Sequence, residues 1–476
     1  MNLSPLLAMA ALAAVLGFLG SRFSPALAGP GESAVYRVVA ATLAGTLVFH
    51  LLLTLLDLVG IAWRPVVLAA ALALVCGACG LAHAAASRRR PPRAGSTDGN
   101  GAGGPGRRRL GWGDAVALAG VLVFALLAWK LWIVTPDFVY HWGLKGHRFF
   151  LAQGVDYTYL ARGWNWVIHP DYPNLLPELY AATALLGGSF AAPAMMLWSV
   201  LFFALLLAAC REALRLAAAD RFLRQAGLAL IAAATAAFAI NTPMAGGADW
   251  MIALALAAAL PPLLRPRDRV GDLGIGVIAA FAAASKVEGL ALGVFLIGAQ
   301  WARAGCRPPA PNTPTAPTAP NAPKAPGTAV LLSGTRAAAA LLLPAAAVVA
   351  PWLAEVHRHH LFLAFNSGPF DLARVPRVAQ LVWAMMRGHE WHGFAFALLL
   401  APLLPADRRL RPIAAVIALQ LAFYLYVYCS ARVDPTDLIQ TSFGRLTLHV
   451  VPAILAGAVI AAARWTVQST PGRDSG

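Results

Sequence analysis

Charge is scarce in this chain. Of its 476 residues 12% are Asp, Glu, Lys or Arg and 59% are hydrophobic, with a mean hydropathy of +0.67. A soluble globular protein of this length does not show that balance, so the chain is expected to be an all-α polytopic membrane protein. A cysteine framework is also lacking. Cys210, Cys306 and Cys429 are isolated, and Cys76 and Cys79, though spaced as CxxC, lie within the apolar run VVLAAALALVCGACGLAHAAA, which suits burial in a helix better than redox or zinc chemistry. No repeat of fixed period is present, which argues against a solenoid or an obviously duplicated half. The net charge of +16 resides largely in arginines between apolar runs. That is the pattern of loops retained on the cytoplasmic side, so membrane lipid rather than nucleic acid is the expected partner.

Apolar runs near 3–20, 37–61, 66–86, 112–135, 191–210, 225–241, 249–264, 272–285, 289–303, 337–353, 391–404, 411–430 and 446–464 are candidate spans. Several fall short of the ~20 residues needed to cross ~30 Å of hydrocarbon. Four basic stretches are assigned to the cytoplasm: 87–109, then Arg211, Arg215, Arg221 and Arg224, then Arg265, Arg267 and Arg269, and finally Arg408, Arg409 and Arg411. They agree only if YPNLLPELYAATALLGG (172–188) does not cross and forms a juxtamembrane or re-entrant helix instead. The reading is then of about thirteen spans, with the N-terminus outside, the C-terminus in the cytoplasm and juxtamembrane helices on the outer side. The start of the chain lacks the basic segment of a cleavable signal peptide and is kept as a span. The organisation expected is an N-terminal three-helix membrane extension (1–86), an Arg/Gly-rich cytoplasmic linker (87–111), a principal membrane domain (112–464) and a short cytoplasmic tail (465–476). The principal domain carries an outer loop (136–190) and a Pro-rich cytoplasmic linker (304–329).

The outer loop concentrates ionisable and aromatic residues in PDFVYHWGLKGHRFFLAQGVD and WNWVIHPDYPNLLP. Further polar residues break later apolar runs on the same side, in GGADWMIALAL (246–256), AASKVEGLAL (283–292) and FGRLTLHVVP (443–452). A spanning helix leading to an Asp in the first large outer loop, then HPDYPNLLPELYA (169–181) and these three elements in this order resemble the GT-C class of integral-membrane glycosyltransferases. That class includes protein O-mannosyltransferases, aminoarabinose transferases and bacterial Rgt-type (PMT-like) enzymes. The likeness covers about residues 112–464. It departs from the class in its three preceding helices, and in Asp137 standing without the adjacent acidic residue that many members carry, which puts a paired-carboxylate or metal role in doubt.

The resemblance implies a GT-C fold and a polyprenyl-phosphate-linked sugar donor. It also implies transfer to a lipid, glycan or protein acceptor at the extracytoplasmic face of a bacterial-type inner membrane, with no cofactor. Such transfer needs a base for the acceptor hydroxyl, a surface for the sugar and cations for the departing phosphate. Asp137 is the candidate base, or else a solvated cap of the following helix. On that helix positions 137, 141, 144, 145 and 148 share a face, so His141 and Lys145 could join it at a substrate, or the basic residues could meet lipid headgroups. His169, Asp171 and Tyr172 are held between Pro170 and Pro173 as a site wall or as an ordinary approach to a helix, with Asp171 complementing its dipole. Trp142, Trp164, Trp166, Tyr157 and Tyr159 suit sugar stacking or an interfacial belt. Asp249 is an N-cap by position, or a carboxylate near the site. Lys286 and Glu288 do not share a helix face, yet both can point into a cleft from the break between two runs, or Lys286 can snorkel to the interface. Arg445 is either a lipid-phosphate ligand or a helix-flanking charge. HRHH (357–360) and HEWH (389–392) lack HExxH spacing, and no metal is assigned. Two other classes stay open: a transporter or lipid flippase, and a non-catalytic assembly factor.

Overall fold

The computed structural model describes residues 3–29, 31–88, 110–163, 168–218, 220–241, 245–303, 328–361, 368–388 and 393–468. Most of the two linkers, Trp164, Trp166, HEWH and the last eight residues lie outside them. The helices in chain order are α1 (Ser4–Ser21), α2 (Ser24–Leu27), α3 (Ala34–Leu58), α4 (Pro65–Arg88), α5 (Trp112–Lys130), α6 (Gly143–Ala152), α7 (Tyr157–Leu160) and α8 (Leu175–Gly187). There follow α9 (Ala192–Ala217), α10 (Arg221–Asn241), α11 (Asp249–Leu264), α12 (Arg269–Ser285) and α13 (Val287–Ala302). Last come α14 (Thr328–Arg358), α15 (Val375–Arg387), α16 (Arg411–Ser430) and α17 (Pro435–Gln468).

The fold is all-helical among the described residues, and nine of these helices are long and apolar enough to cross a membrane. They are α1, α3, α4, α5, α9, α10, α14, α16 and α17. The other apolar runs form shorter pieces: α11, α12 and α13 have 16, 17 and 16 residues, and Phe394–Ala406 winds as a 3-10 helix containing Pro402 and Pro405. The 13 residues of α8 reach only about 20 Å at 1.5 Å per residue, too short to span.

Helix α11 occupies the centre of the bundle. Beyond Asp249 its sequence has no charged side chain and only the Trp250 indole N–H as a polar group, and a helix apolar on every side is stable only when surrounded; Asp249 through Leu263 are all buried, against α9, α12, α13 and α17. The N-terminal helices join this packing. A Cβ on Gly20 would strike the Ala41 carbonyl and one on Gly45 the Leu16 carbonyl, so paired glycines set the close approach of α1 and α3. Tyr36 of α3 donates its hydroxyl to the Ala258 carbonyl at 2.6 Å, and His50 meets Glu178 of α8 at 2.6 Å. The end of α3 and the segment after it hold the outer loop, where Val155 N donates to Asp57 at 3.2 Å and Trp63 N to the Gln153 carbonyl at 2.6 Å.

Charged groups gather at two opposite ends of the antiparallel helices. One end holds arginine-carboxylate pairs: Arg211 with Asp114 at 2.6 Å, Arg215 with Glu212 at 2.6 Å, Arg267 with Asp272 at 2.8 Å, Arg265 with Glu32, and Asp407 with Arg409 and Arg464. The other end holds the candidate site.

Candidate functional site

Helix α5 ends at Lys130, and a 3-10 turn (Trp132–Val134) and Pro136 lead into a π-helical turn, Asp137–Trp142, before α6 begins. Widened turns of this kind are rare and are found frequently at functional sites. Asp137 turns toward α17, where Nη1 of Arg445 donates to both carboxylate oxygens at 3.0 and 2.9 Å. The two side chains are 15% and 23% exposed, which leaves the pair at an opening rather than sealed within the bundle. Arg445 is not a flanking charge: α17 starts at Pro435, well before it.

Behind this pair lies a wholly buried group. Oδ1 of Asp249 accepts from Lys286 Nζ at 3.1 Å and from His449 Nε2 at 2.8 Å, and Lys286 also pairs with Glu288 at 3.2 Å. The N-cap of α11 is Ala248 and no side chain caps the helix, so the expected N-cap role of Asp249 is replaced by an ion pair. The preceding turn is pinned at Gly246, with φ +82°, whose N–H donates to Ser199 at 2.7 Å and whose carbonyl accepts from Tyr180 at 2.9 Å. Lys286 is the break between α12 and α13, extended at φ −167°, ψ 161°. Because it precedes the helix, the face rule for residues two apart does not apply, and its ammonium folds back onto Glu288.

His449 was not singled out from the sequence, nor were its partners in α16. An ionised carboxylate only accepts, so the proton on His449 lies on Nε2 and its Nδ1 accepts from the Tyr424 hydroxyl at 2.6 Å; Tyr424 in turn accepts from Gln420 at 2.8 Å. The available signal was polar residues inside otherwise apolar spans, including Gln420 and Tyr424 at i, i+4 and the lone histidine of LTLHVVP.

The third wall is aromatic. His141 and His169 have ring centroids 5.2 Å apart, and His169 stacks on Tyr172 at 4.5 Å, with Lys286 over the Tyr172 ring at 6.0 Å. His169 adopts φ +49°, a costly conformation for a residue with a Cβ. What holds it is Lys145, buried in α6, whose ammonium donates to the His169 carbonyl at 2.8 Å and, more weakly, to that of Tyr172 at 3.5 Å. Lys145 is therefore tied to the protein backbone and is not presented to a phosphate. Burial pushes it down to about 7, opposed by Asp171. Burial, reinforced by His141 and the nearby cations, drives His169 down to about 2, and His141 is lowered by burial against the opposing pull of Asp137. Burial raises the Tyr172 phenol, as does Glu288. The wall is accordingly neutral at pH 7. Asp171 is buried and precedes α8, whose N-cap is Asn174; the Asp171 carbonyl accepts from Trp352 of α14 at 3.0 Å.

The structure thus brings Asp137, His141, His169, Tyr172, Asp249, Lys286, Glu288 and Arg445 to one site, with Lys145 supporting the wall. The expected common face on the helix after Asp137 extends no further than Lys145, because Arg148 turns to Asp156 at 3.0 Å and Tyr159. Tyr157 stacks instead on His359 at 3.9 Å. Buried Asp249 Oδ2, Glu288 Oε2, Arg445 Nε, His141 Nδ1 and His169 Nδ1 have no hydrogen-bond partner among the described residues, an unusual concentration for buried polar atoms. Among those residues no group of three or more His, Cys, Asp or Glu is arranged to hold a metal.

Beside the polar cluster, an apolar crevice of about 200 Å³ runs between α15, α16 and α17. Val378, Val382, Leu421, Tyr428, Phe443 and Leu446 line it, and it meets the polar cluster at Tyr424, the partner of His449. Compared with models of protein families, with curated proteins and with solved structures, the chain matches none.

Proposed function

We propose that this protein is a GT-C-type glycosyltransferase of about thirteen spans that moves a sugar from a polyprenyl-phosphate carrier to an acceptor hydroxyl. The proposed setting is the outer face of a bacterial inner membrane, in modification of an envelope glycan or glycolipid. The observation that carries this reading is the junction of three environments. An Asp137–Arg445 pair opens beside buried Lys286, a neutral histidine-tyrosine wall adjoins it, and an apolar crevice reaches the cluster at Tyr424. A lipid-linked sugar phosphate has those three parts: an anionic diester, a hydroxyl-rich ring and a hydrocarbon tail. Aromatic faces with unpaired imidazole nitrogens suit the ring, and a desolvated guanidinium and ammonium suit the phosphate.

In the proposed step the acceptor oxygen forms a bond to the anomeric carbon and its proton passes to the Asp137 carboxylate. The bond from that carbon to the phosphate oxygen breaks, and its electron pair leaves with the polyprenyl phosphate, whose added charge Arg445 and Lys286 offset. The outer orientation is supported by the arginine-rich links at the opposite end of the bundle. A transporter would be expected to show repeated halves, and the sequence carries no repeat of fixed period.

The test is mass spectrometry of envelope glycans and polyprenyl-linked sugars from cells carrying the wild-type chain or Asp137→Asn at matched expression. Loss of one sugar with accumulation of its carrier is expected. An unchanged glycan and carrier profile would overturn the assignment.

A further inference from the structure

The charges at the site do not balance. Lys286 and Arg445 face Asp137, Asp249 and Glu288, two cations against three carboxylates, and His449 is neutral when it donates from Nε2 and accepts at Nδ1. Lys286 is shared between Asp249 and Glu288. Arg445 is committed differently. One nitrogen, Nη1, serves both oxygens of Asp137, while the buried Nε has no partner among the described residues. An anion entering here meets a guanidinium already neutralised by a carboxylate, with an unused donor beside it.

We propose that Asp137 is an internal competitor for the phosphate site: it occupies Arg445 until a phosphate arrives, and the phosphate, taking the guanidinium, releases the carboxylate for proton transfer. This rests on the lipid-phosphate reading above and adds an order to it, since the base is free only when the donor is bound. Masking also prevents Asp137 from acting on water or acceptor while the site is empty of donor. The pair is suited to such exchange because both side chains are partly exposed, unlike Asp249 and Lys286, which are locked within the bundle. An arginine presents several donors in a rigid fork and can pass from a carboxylate to a phosphate without leaving its place on α17.

The claim has a counterintuitive sign: removing an acidic group from the centre of the site should improve binding. Polyprenyl phosphate is titrated against the full chain in detergent, with polyprenol of equal length as the uncharged control, for wild type, Asp137→Asn, Arg445→Gln and the double variant. Asp137→Asn is expected to bind the phosphate about tenfold more tightly than wild type, because a like charge facing the ligand is gone, and to leave polyprenol binding unchanged. In the Arg445→Gln background that gain should vanish, since the double-mutant cycle isolates competition for the guanidinium from a general change in field or fold. Equal or weaker phosphate binding by Asp137→Asn, or a gain that survives Arg445→Gln, would overturn the proposal. If wild type binds polyprenyl phosphate no better than polyprenol, this proposal and the lipid-phosphate reading fall together. The expected binding pattern combined with unchanged envelope glycans would leave the anion switch standing and overturn the transferase reading alone.

Discussion

Replacing Lys286 by Met separates what the buried ion cluster does for folding from what it does for a ligand. The methionine nearly matches the lysine stem in volume, so little cavity is created, but Asp249 keeps only His449 and Glu288 loses its cation. Asp249 is fully buried, and stranding a buried charge typically costs about 3–5 kcal/mol. His449 mitigates this, for a protonated imidazole can replace the ammonium if Tyr424 turns its hydroxyl away; that exchange sacrifices a hydrogen bond of about 1 kcal/mol. The expected loss for Lys286→Met is therefore about 3 kcal/mol, near the lower end of that range. Adding Asp249→Leu removes the stranded charge and leaves the His449 Nε2–H as the principal new orphan, at about 1–3 kcal/mol. The double variant should then be no less stable than Lys286→Met, though both should lose binding of polyprenyl phosphate. Equilibrium unfolding in mixed micelles, followed by tryptophan fluorescence, measures the first effect, and lipid titration the second. A loss below about 1 kcal/mol for Lys286→Met, or a double variant clearly less stable than the single one, would refute the view that Asp249 depends on this cation.

Lys145 gives a pH signature: its ammonium is held near 7 in the fold against a usual 10.5, so between those values the unfolded chain binds the extra proton and stability should rise with pH across that window. Lys145→Met should flatten that rise, as stability measured at intervals from pH 7 to 10 would show, while also loosening the His169 turn. Gly45→Val should cost about 1–3 kcal/mol by driving α1 and α3 apart, whereas a valine at Gly77, where a Cβ meets nothing, should cost clearly less in the same unfolding assay. Tyr424→Phe removes one hydroxyl from a wall of the crevice and leaves His449 Nδ1 without its donor. It should cost about 1–2 kcal/mol and lower glycan product more than protein abundance, which quantitative blotting beside glycan mass spectrometry distinguishes.

The helices were legible because hydropathy reports length and apolar content directly, and every apolar run noted in the sequence carries a helix. The shortness of α11, α12 and α13 was legible too, but not its consequence, which is a central helix sheathed by others. The α8 segment was recognisable as non-spanning only because the arginines on either side could not otherwise share a compartment. Of the candidate residues, those in breaks between apolar runs converge, and for a physical reason: a polar residue wholly or partly buried at a helix end needs a polar partner at the same depth, which for Asp137 and Asp249 comes from within α17. What could not be read was pairing. Asp137 and Arg445 are 308 positions apart, and nothing local distinguishes an arginine that binds a carboxylate from one that awaits a phosphate. Lys145 looked like a ligand cation because sequence shows charge and not direction; its partners prove to be two carbonyls of a strained turn.

The same reasoning changes the meaning of the three N-terminal helices. Read from the sequence they are an extension, separated from the remainder by an Arg/Gly-rich linker, with no role assigned to them. Yet His50 on α3 supplies a partner for Glu178, a buried carboxylate on α8. The end of α3 and the segment after it also hold the outer loop at Val155 and Gln153. Helix α6 ends at Ala152, and at its other end it carries Lys145, which supports the wall, and continues from the π turn that holds His141. An element that secures one end of α6 and pairs with α8 bears on the position of the histidine wall although none of its residues lies in it. The linker between α4 and α5 therefore joins two parts of one packed unit, and the site is built on a frame to which the first 86 residues contribute.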